Sequence, residues 1–390
     1  MKVCFLGEAT KKHVRDWAVW LHKQGVEVVV LSDAKGEPIR VGDSEVRQMH
    51  PRWTFFHNVW TFKLRGGPLA NNRDKWRLYR PMIEACNADL IHAHEALGYG
   101  PILPKLRTSV PKILTPWGPD VESAIQEKTT EKARLVLGGL QAADVITTNA
   151  NGLESYWSDE LGIPKERFRF FPWGVNTELF CPADSAQKDL LLQQWLIPEG
   201  ALLFLCPRIP LPLYRHEDLL KGWKIFRERQ PNVRAHLLFL SGGFPIPKSW
   251  NATVLKDFTW IEQNCAAGEM VELYQMADFT VMIPQTDLLA QSLLECLSCG
   301  SIPILNRLAT YEYAVGDVDN SELGRCIWVR DGITLAEQVA DAFSAASAMT
   351  LSERANHSEH NIRIARSRFH EDICRRSLLQ LYEELLKKPR

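Results

Sequence analysis

Short apolar runs recur along this chain, each set between stretches of helical spacing, and this alternation restricts the possible fold more than any other feature. Lys2 to Leu6 reads as a strand that turns at Gly7 into a helix, where Val14, Trp17, Ala18 and Leu21 keep the i, i+3, i+4, i+7 spacing of one apolar face. Gly25 ends that helix. Val26 to Leu31 is valine-rich and interrupted only by Glu27, as expected of a parallel strand buried on both faces along most of its length. The β-α-β pattern returns through LIHAH (90–94), KILTP (112–116), ADVITTN (143–149) and FRFFPWG (168–174). A doubly wound parallel sheet follows, and the fold class is α/β.

After Pro182 the composition turns polar through ADSAQKD, and a second alternating series begins. Its strands are ALLFLCPR (201–208), RAHLLFLSGG (234–243), FTVMIP (279–284) and SIPIL (301–305), with helical segments such as DLLKGWKIFRER (218–229) between them. A length of 390 residues suits two such domains. The reading is two Rossmann-like domains, 1–182 and 183–370, with a terminal helix over 371–390. In that helix Cys374, Leu378, Leu381, Tyr382 and Leu385 line one face. Open parallel sheets bind ligands in crevices at the carboxyl ends of their strands, so each domain should offer one.

Charge excludes some functions. Lys and Arg number 46 against 47 Asp and Glu, so no global field favours nucleic acid. One local asymmetry lies between Arg52 and Arg80, where Lys63, Arg65, Arg73, Lys75 and Arg77 mingle with Trp53, Phe55, Phe56, Trp60 and Trp76. That mixture suits peripheral contact with an anionic membrane, or more simply a solvated face with its aromatics turned inward. An anionic acceptor is a further reading. The opening MKVCFLGEATKK has too short an apolar run for a signal peptide, and nothing reaches the roughly 18 apolar residues of a membrane span, so a cytoplasmic protein is expected. Nine scattered cysteines point to reduced thiols, and the single CxxC, Cys296 and Cys299, lacks the second pair or histidines that zinc requires.

The most informative segment is MIPQTDLLAQSLLECLSCGSIPIL: a strand, a loop with Asp287, a helix with Glu295 in its first turns, Gly300, and another strand. It resembles the family 4 retaining glycosyltransferases, in which a loop acid is followed eight residues later by a helix glutamate and often by Cys-Gly. FFPWGVNTELFCP (170–182) is similar to the interdomain segment of that family. DLIHAHEALGYG and ILTPWGPD resemble its N-domain crevice loops, with His94, Trp117, Gly118 and Asp120 at matching places. The individual motifs are short; their order and spacing carry the resemblance across nearly the whole chain.

The resemblance implies the GT-B fold, with two Rossmann-like domains facing a central cleft and the C-terminal helix returning to the N-domain. It implies transfer of a sugar from a nucleoside diphosphate donor, UDP- or GDP-linked, to a hydroxyl of a glycan, lipid-linked or small-molecule acceptor, with retention and without metal or other cofactor. Asp287, His94 and Arg208 are then the catalytic candidates. Asp287 positions the sugar, Glu295 holds the ribose, and the helix amino end near Ser292 takes the diphosphate, since its free N–H groups and dipole favour an anion. Leu288, Leu289 and Ala290 stand where the family places glycines that admit the sugar. Arg208 matches the clamp arginine, whereas Leu213 stands at the place of the clamp lysine and Arg215 is the nearest cation. Gly7 matches the first glycine of the N-terminal loop, but Glu8 follows it. Trp117 replaces a histidine and offers a stacking face instead of a base. His94 lies nearer the crevice than His92, two residues earlier on the same strand face. A nucleotide-sugar isomerase and a non-catalytic scaffold on the same framework stay open; a nicotinamide dehydrogenase is disfavoured, because no GxGxxG follows the first strand.

Overall fold

The computed structural model describes residues 1–34, 37–41, 44–50, 73–149, 151–244, 257–317, 319–330 and 334–387. By its contacts the chain divides into two units, Met1–Pro172 together with the segment from Arg375, and Trp173–Cys374. The polar stretch after Pro182 marks the exposed approach to the helix Ser185–Gln194, but the chain enters the second unit earlier. There the Val175 N–H bonds the Phe369 carbonyl at 2.7 Å and Val175 bridges His370. Gly174 makes this approach possible: its φ is +77°, and a Cβ there would lie 2.8 Å from the Glu371 Cα.

The first unit holds a sheet of β1 (Lys2–Leu6), β2 (Glu27–Leu31), β3 (Ile39–Val41), β4 (Ser44–Met49), β5 (Leu90–His94), β6 (Lys112–Thr115), β7 (Val145–Thr148) and β8 (Phe168–Phe170). Their order is β3-β4-β2-β1-β5-β6-β7-β8. Every pairing is parallel except β3 with β4. The winding reverses between β1 and β5, so this sheet opens its crevice beyond Gly7 and His94. The terminal helix Glu371–Lys387 buries Cys374, Leu378, Leu381, Tyr382 and Leu385. From Arg375 onward it belongs to this unit: the Arg375 guanidinium donates to the Asp16 carbonyl at 3.4 Å, and the Tyr382 hydroxyl lies 2.5 Å from His92 Nδ1.

The second unit holds β9 (Leu202–Cys206), β10 (Ala235–Leu240), β11 (Phe258–Ile261), β12 (Phe279–Met282), β13 (Ile302–Leu305) and β14 (Ile327–Trp328), all parallel, in the order β11-β10-β9-β12-β13-β14. Phe204 of β9 stacks on Phe279 of β12 at 5.0 Å, and Trp223, Phe226 and Phe343 cover that pair from the helices His216–Arg229 and Leu335–Ala348. The reversal falls between β9 and β12, which brings together the loops that carry Arg208 and Asp287.

Of the basic and aromatic stretch between Arg52 and Arg80, residues 52–72 lie outside the described residues. Beyond them Lys75 is buried and pairs with Asp33 at 2.7 Å, and Arg73 pairs with Glu131 at 3.0 Å. Among the described residues no helix is long and apolar enough to cross a membrane.

Candidate functional site

Arg208 follows β9 after a single proline, and its side chain is 16% exposed. Its Nη2 pairs with Asp287 Oδ2, its Nη1 donates to Ser292 Oγ at 3.2 Å, and the guanidinium lies over the Tyr214 ring at 4.3 Å. Burial works against the charge, but Asp287 and the surrounding tyrosines outweigh it and hold the proton more firmly than usual. The Arg208 carbonyl contacts His216 Nε2 at 2.8 Å, an imidazole that burial pushes down to about 4, so the neutral ring donates there.

Asp287 accepts from several directions. Its Oδ2 also takes the Tyr311 hydroxyl at 2.9 Å, its Oδ1 the Leu288 N–H at 3.0 Å, and its carbonyl the Thr310 hydroxyl at 3.0 Å. Four residues later begins the helix Gln291–Cys299, with Ala290 as a cap that offers no side-chain acceptor and no acid in its first turn. Such an end keeps N–H groups and dipole available to an anion. Ser292 and Glu295 stand three apart and so share a helix face, both buried. Glu295 lies near Tyr274, whose hydroxyl burial and then the Glu295 charge push well above its ordinary range. Leu288, Leu289 and Ala290 form no open cradle: all three are buried, and the last two join the core of the unit.

Arg215 is joined to this cluster by no hydrogen bond or ion pair among the described residues. It adopts a left-handed backbone (φ 52°) just before the helix His216–Arg229 and lines a cavity of about 1220 Å³ with Asn306, Arg307, Trp328 and Arg330.

In the first unit His94 lies wholly inside. Its ring stacks on His92 at 4.4 Å and meets Phe5 and Trp17 edge-on at 4.8 and 5.2 Å, and neither ring nitrogen has a partner. Burial, then His92 and His13, push its pKa well below the ordinary value, so the ring is neutral. A Cβ on Gly7 would meet Val14 at 3.2 Å and that ring at 3.4 Å, so the glycine serves packing under the helix Lys12–Lys23. Glu8 turns toward its own helix start, accepting from Thr10 at 2.5 Å. Trp117, half-buried, meets His13 edge-on at 4.5 Å. Gly118 holds φ +95° at the start of the helix Pro119–Gln126, and the Asp120 carboxylate accepts from the N–H groups of Ala96, Trp117 and Val121 at 2.6 to 3.1 Å. Asp120 therefore braces two crevice loops.

Residues 10–179 match the family model described as Glycosyltransferase Family 4. That stretch, somewhat under half of the chain, is similar to a family 4 glycosyltransferase domain. Solved structures similar over the full length agree in fold. A glycosyltransferase from Rickettsia africae ESF-5 is 12% identical, with a TM-score of 0.73, covering 100% of this chain and 99% of that one. Sucrose-phosphate synthase from Thermosynechococcus elongatus is 14% identical, with a TM-score of 0.72 and 99% of both chains covered. Anabaena HepE in complex with UDP-glucose is 10% identical, with a TM-score of 0.74, covering 98% of this chain and 100% of that one. The fold is GT-B, as expected. No curated protein matches the chain in sequence.

Within this fold the structure adds residues that sequence reasoning missed. Tyr214, Thr310 and Tyr311 enclose the Arg208–Asp287 pair, and a tyrosine has no local signature separating a core ring from one aimed at an ion pair. At the carboxyl edge of the first sheet, Asp33 pairs with the buried Lys75 and accepts from the Tyr99 hydroxyl, while the Lys75 ammonium lies 4.2 Å from the centre of the Tyr99 ring. Glu95, directly after β5, holds a left-handed φ of 68°, unusual for a glutamate. Its place beside His94 at a strand end was the available signal. Among the described residues no group of His, Cys, Asp or Glu is arranged to hold a metal ion, and Cys296 and Cys299 are buried free thiols.

Proposed function

We propose that the chain transfers a sugar from a UDP- or GDP-linked donor to an acceptor hydroxyl, with retention at the anomeric carbon and without a metal. The observation that carries this reading is the placement of Arg208, at the reversal point of the second sheet, against the first turn of a helix with no side-chain cap. Departure of a nucleoside diphosphate leaves charge on its terminal phosphate, and a fixed guanidinium with helix N–H groups stabilises that charge without reorganising. In this reading Glu295, one turn along the same face, accepts from the ribose hydroxyls, and Arg215 is the second cation. The HepE complex, which holds UDP-glucose on a similar fold, supports a nucleotide-sugar donor.

His94 is not the base in this reading, because its ring is enclosed and neutral. The acceptor is assigned to the carboxyl edge of the first sheet, where Trp117 and Glu95 keep partial exposure. The glycan, lipid-linked or small-molecule nature of that acceptor rests on the resemblance, as does retention.

The test is a panel of UDP- and GDP-sugars with and without added acceptors, following both nucleoside diphosphate release and sugar identity. Acceptor-dependent release supports transfer, a changed sugar supports an isomerase, and binding without turnover supports a scaffold. Arg208→Ala and Glu295→Ala should each weaken nucleotide binding at least tenfold, about 1.4 kcal/mol or more. Failure of the whole panel to bind would remove the reading.

A further inference from the structure

We propose that Asp287 serves donor binding as the positioning residue of the Arg208 guanidinium, with Tyr311 as its second partner, and not as a ligand of the donor sugar. The proposal rests on the transfer reading above. A carboxylate offers about four lone-pair sites. Arg208 and Tyr311 share Oδ2, and the Leu288 N–H takes one site on Oδ1. Thr310 holds the backbone carbonyl of the same residue, so the loop cannot swing the carboxylate outward without breaking several bonds together. With the side chain only 15% exposed, little of it is left to meet a sugar hydroxyl.

The guanidinium shows the opposite condition. Its five N–H donors lie in one plane, which Asp287, Ser292 and the Tyr214 ring fix from three sides. Its Nε is buried and has no partner. A pinned guanidinium, 16% exposed beside an uncapped helix end, offers its remaining accessible N–H to an acceptor oxygen, and a phosphate oxygen suits it in charge. Asp287 and Tyr311 thus bear on affinity for the nucleotide through Arg208.

The test compares dissociation constants for the nucleoside diphosphate alone and for the matching nucleotide sugar, in wild type, Asp287→Asn and Tyr311→Phe. Positioning predicts that each substitution changes both affinities by the same factor, at least about threefold, so that their ratio stays constant. In an Arg208→Ala background the further change Asp287→Asn should move neither, because the effect runs through the missing guanidinium. A sugar ligand at Asp287 predicts instead that the diphosphate binds Asp287→Asn as it binds wild type while the nucleotide sugar loses its advantage. That result overturns the proposal, and so do unchanged affinities for both ligands in both variants. Tyr311→Phe keeps the buried ring and both charges, so it carries the comparison if Asp287→Asn does not fold. Wild type that binds no nucleotide would refute the transfer reading first, and this one with it.

Discussion

Acidification from about pH 7.5 to about pH 5.5 should loosen the first unit by an amount to which His92 and His94 contribute, beside His13, which burial pushes down to about 4. Burial pushes His92 down to about 3, and burial together with His92 and His13 pushes His94 well below its ordinary value. In the unfolded chain both titrate near 6.5, so below that pH the unfolded state binds protons that the folded state excludes. The stability of the neutral, enclosed rings is therefore complete above about pH 6.5 and declines as pH falls toward the folded values. Over the stated interval His92 contributes a loss of about 1.4 kcal/mol, and His94 adds at most the same again. Asp16 and Glu95, whose carboxyls burial pushes up, act in the opposite sense, so the clean measurement is a difference between proteins. His94→Gln removes one titrating ring and should reduce the pH-dependent loss by at most about 1.4 kcal/mol, whatever it does to absolute stability. Native-state hydrogen exchange read by mass spectrometry on peptides covering β1 and β5 gives the opening free energy of this unit at each pH. An identical pH dependence in wild type and His94→Gln would refute the reasoning, because it would mean that the ring is protonated in the folded unit.

Gly139→Ala would place a Cβ 2.8 to 2.9 Å from backbone atoms of Gly100, which cannot rotate away; the urea midpoint of the first unit should fall by the equivalent of about 1–3 kcal/mol, and an unchanged midpoint would contradict the packing. Tyr382→Phe leaves His92 Nδ1 without its partner inside the unit, at about 1–3 kcal/mol, and should raise proteolysis and exchange across 375–387; unaltered protection there would show that the hydroxyl does not hold the helix. Arg215→Gln should weaken nucleoside diphosphate binding about tenfold and reduce its salt dependence, which isothermal titration at two ionic strengths checks; a salt dependence equal to wild type would remove Arg215 from the site.

The strands legible in the sequence are those buried on both faces, because such runs as EVVVL and AHLLFL carry their apolar character without interruption by the far side. Those that escaped lie at the outer positions. SEVRQM of β4 carries polar residues through its length, IRV of β3 pairs antiparallel beside it, and β14 has only two residues, all too short or too mixed to register as periodic. At the candidate site the sequence named Arg208, Asp287, Ser292 and Glu295, since spacing from strand ends and helix starts fixes where such groups stand. It could not tell which side chains those groups would meet. The burial of Leu289 and Ala290, the closure of Asp287 by Tyr311, and the enclosure of His94 under Trp17 all depend on partners far along the chain. Asp120 shows the same limit: its position matches a crevice residue, yet backbone N–H groups occupy its carboxylate.

The ion pair between Arg208 and Asp287 also changes what the rest of the proposed donor site must supply. Arg208 carries a full charge, but with Asp287 on the same guanidinium the two sum to nearly nothing at the distance of a bound diphosphate. What Arg208 then offers is direction: a planar guanidinium held by the Tyr214 face and Ser292. Net positive potential has to come from elsewhere in the unit. The uncapped end of Gln291–Cys299 supplies about half a charge, short of a diphosphate's need. Arg215, lining its cavity with Arg307 and Arg330, is the nearest described cation in sequence to the clamp, and Arg307 is already paired with Glu312 at 3.1 Å. In the transfer reading, a second cation at Arg215 thus accompanies neutralisation of Arg208 by Asp287. If the transfer reading holds, affinity for the nucleotide depends on geometry at Arg208 and on charge at Arg215, so substitutions at the two positions should differ in how strongly added salt alters their effect.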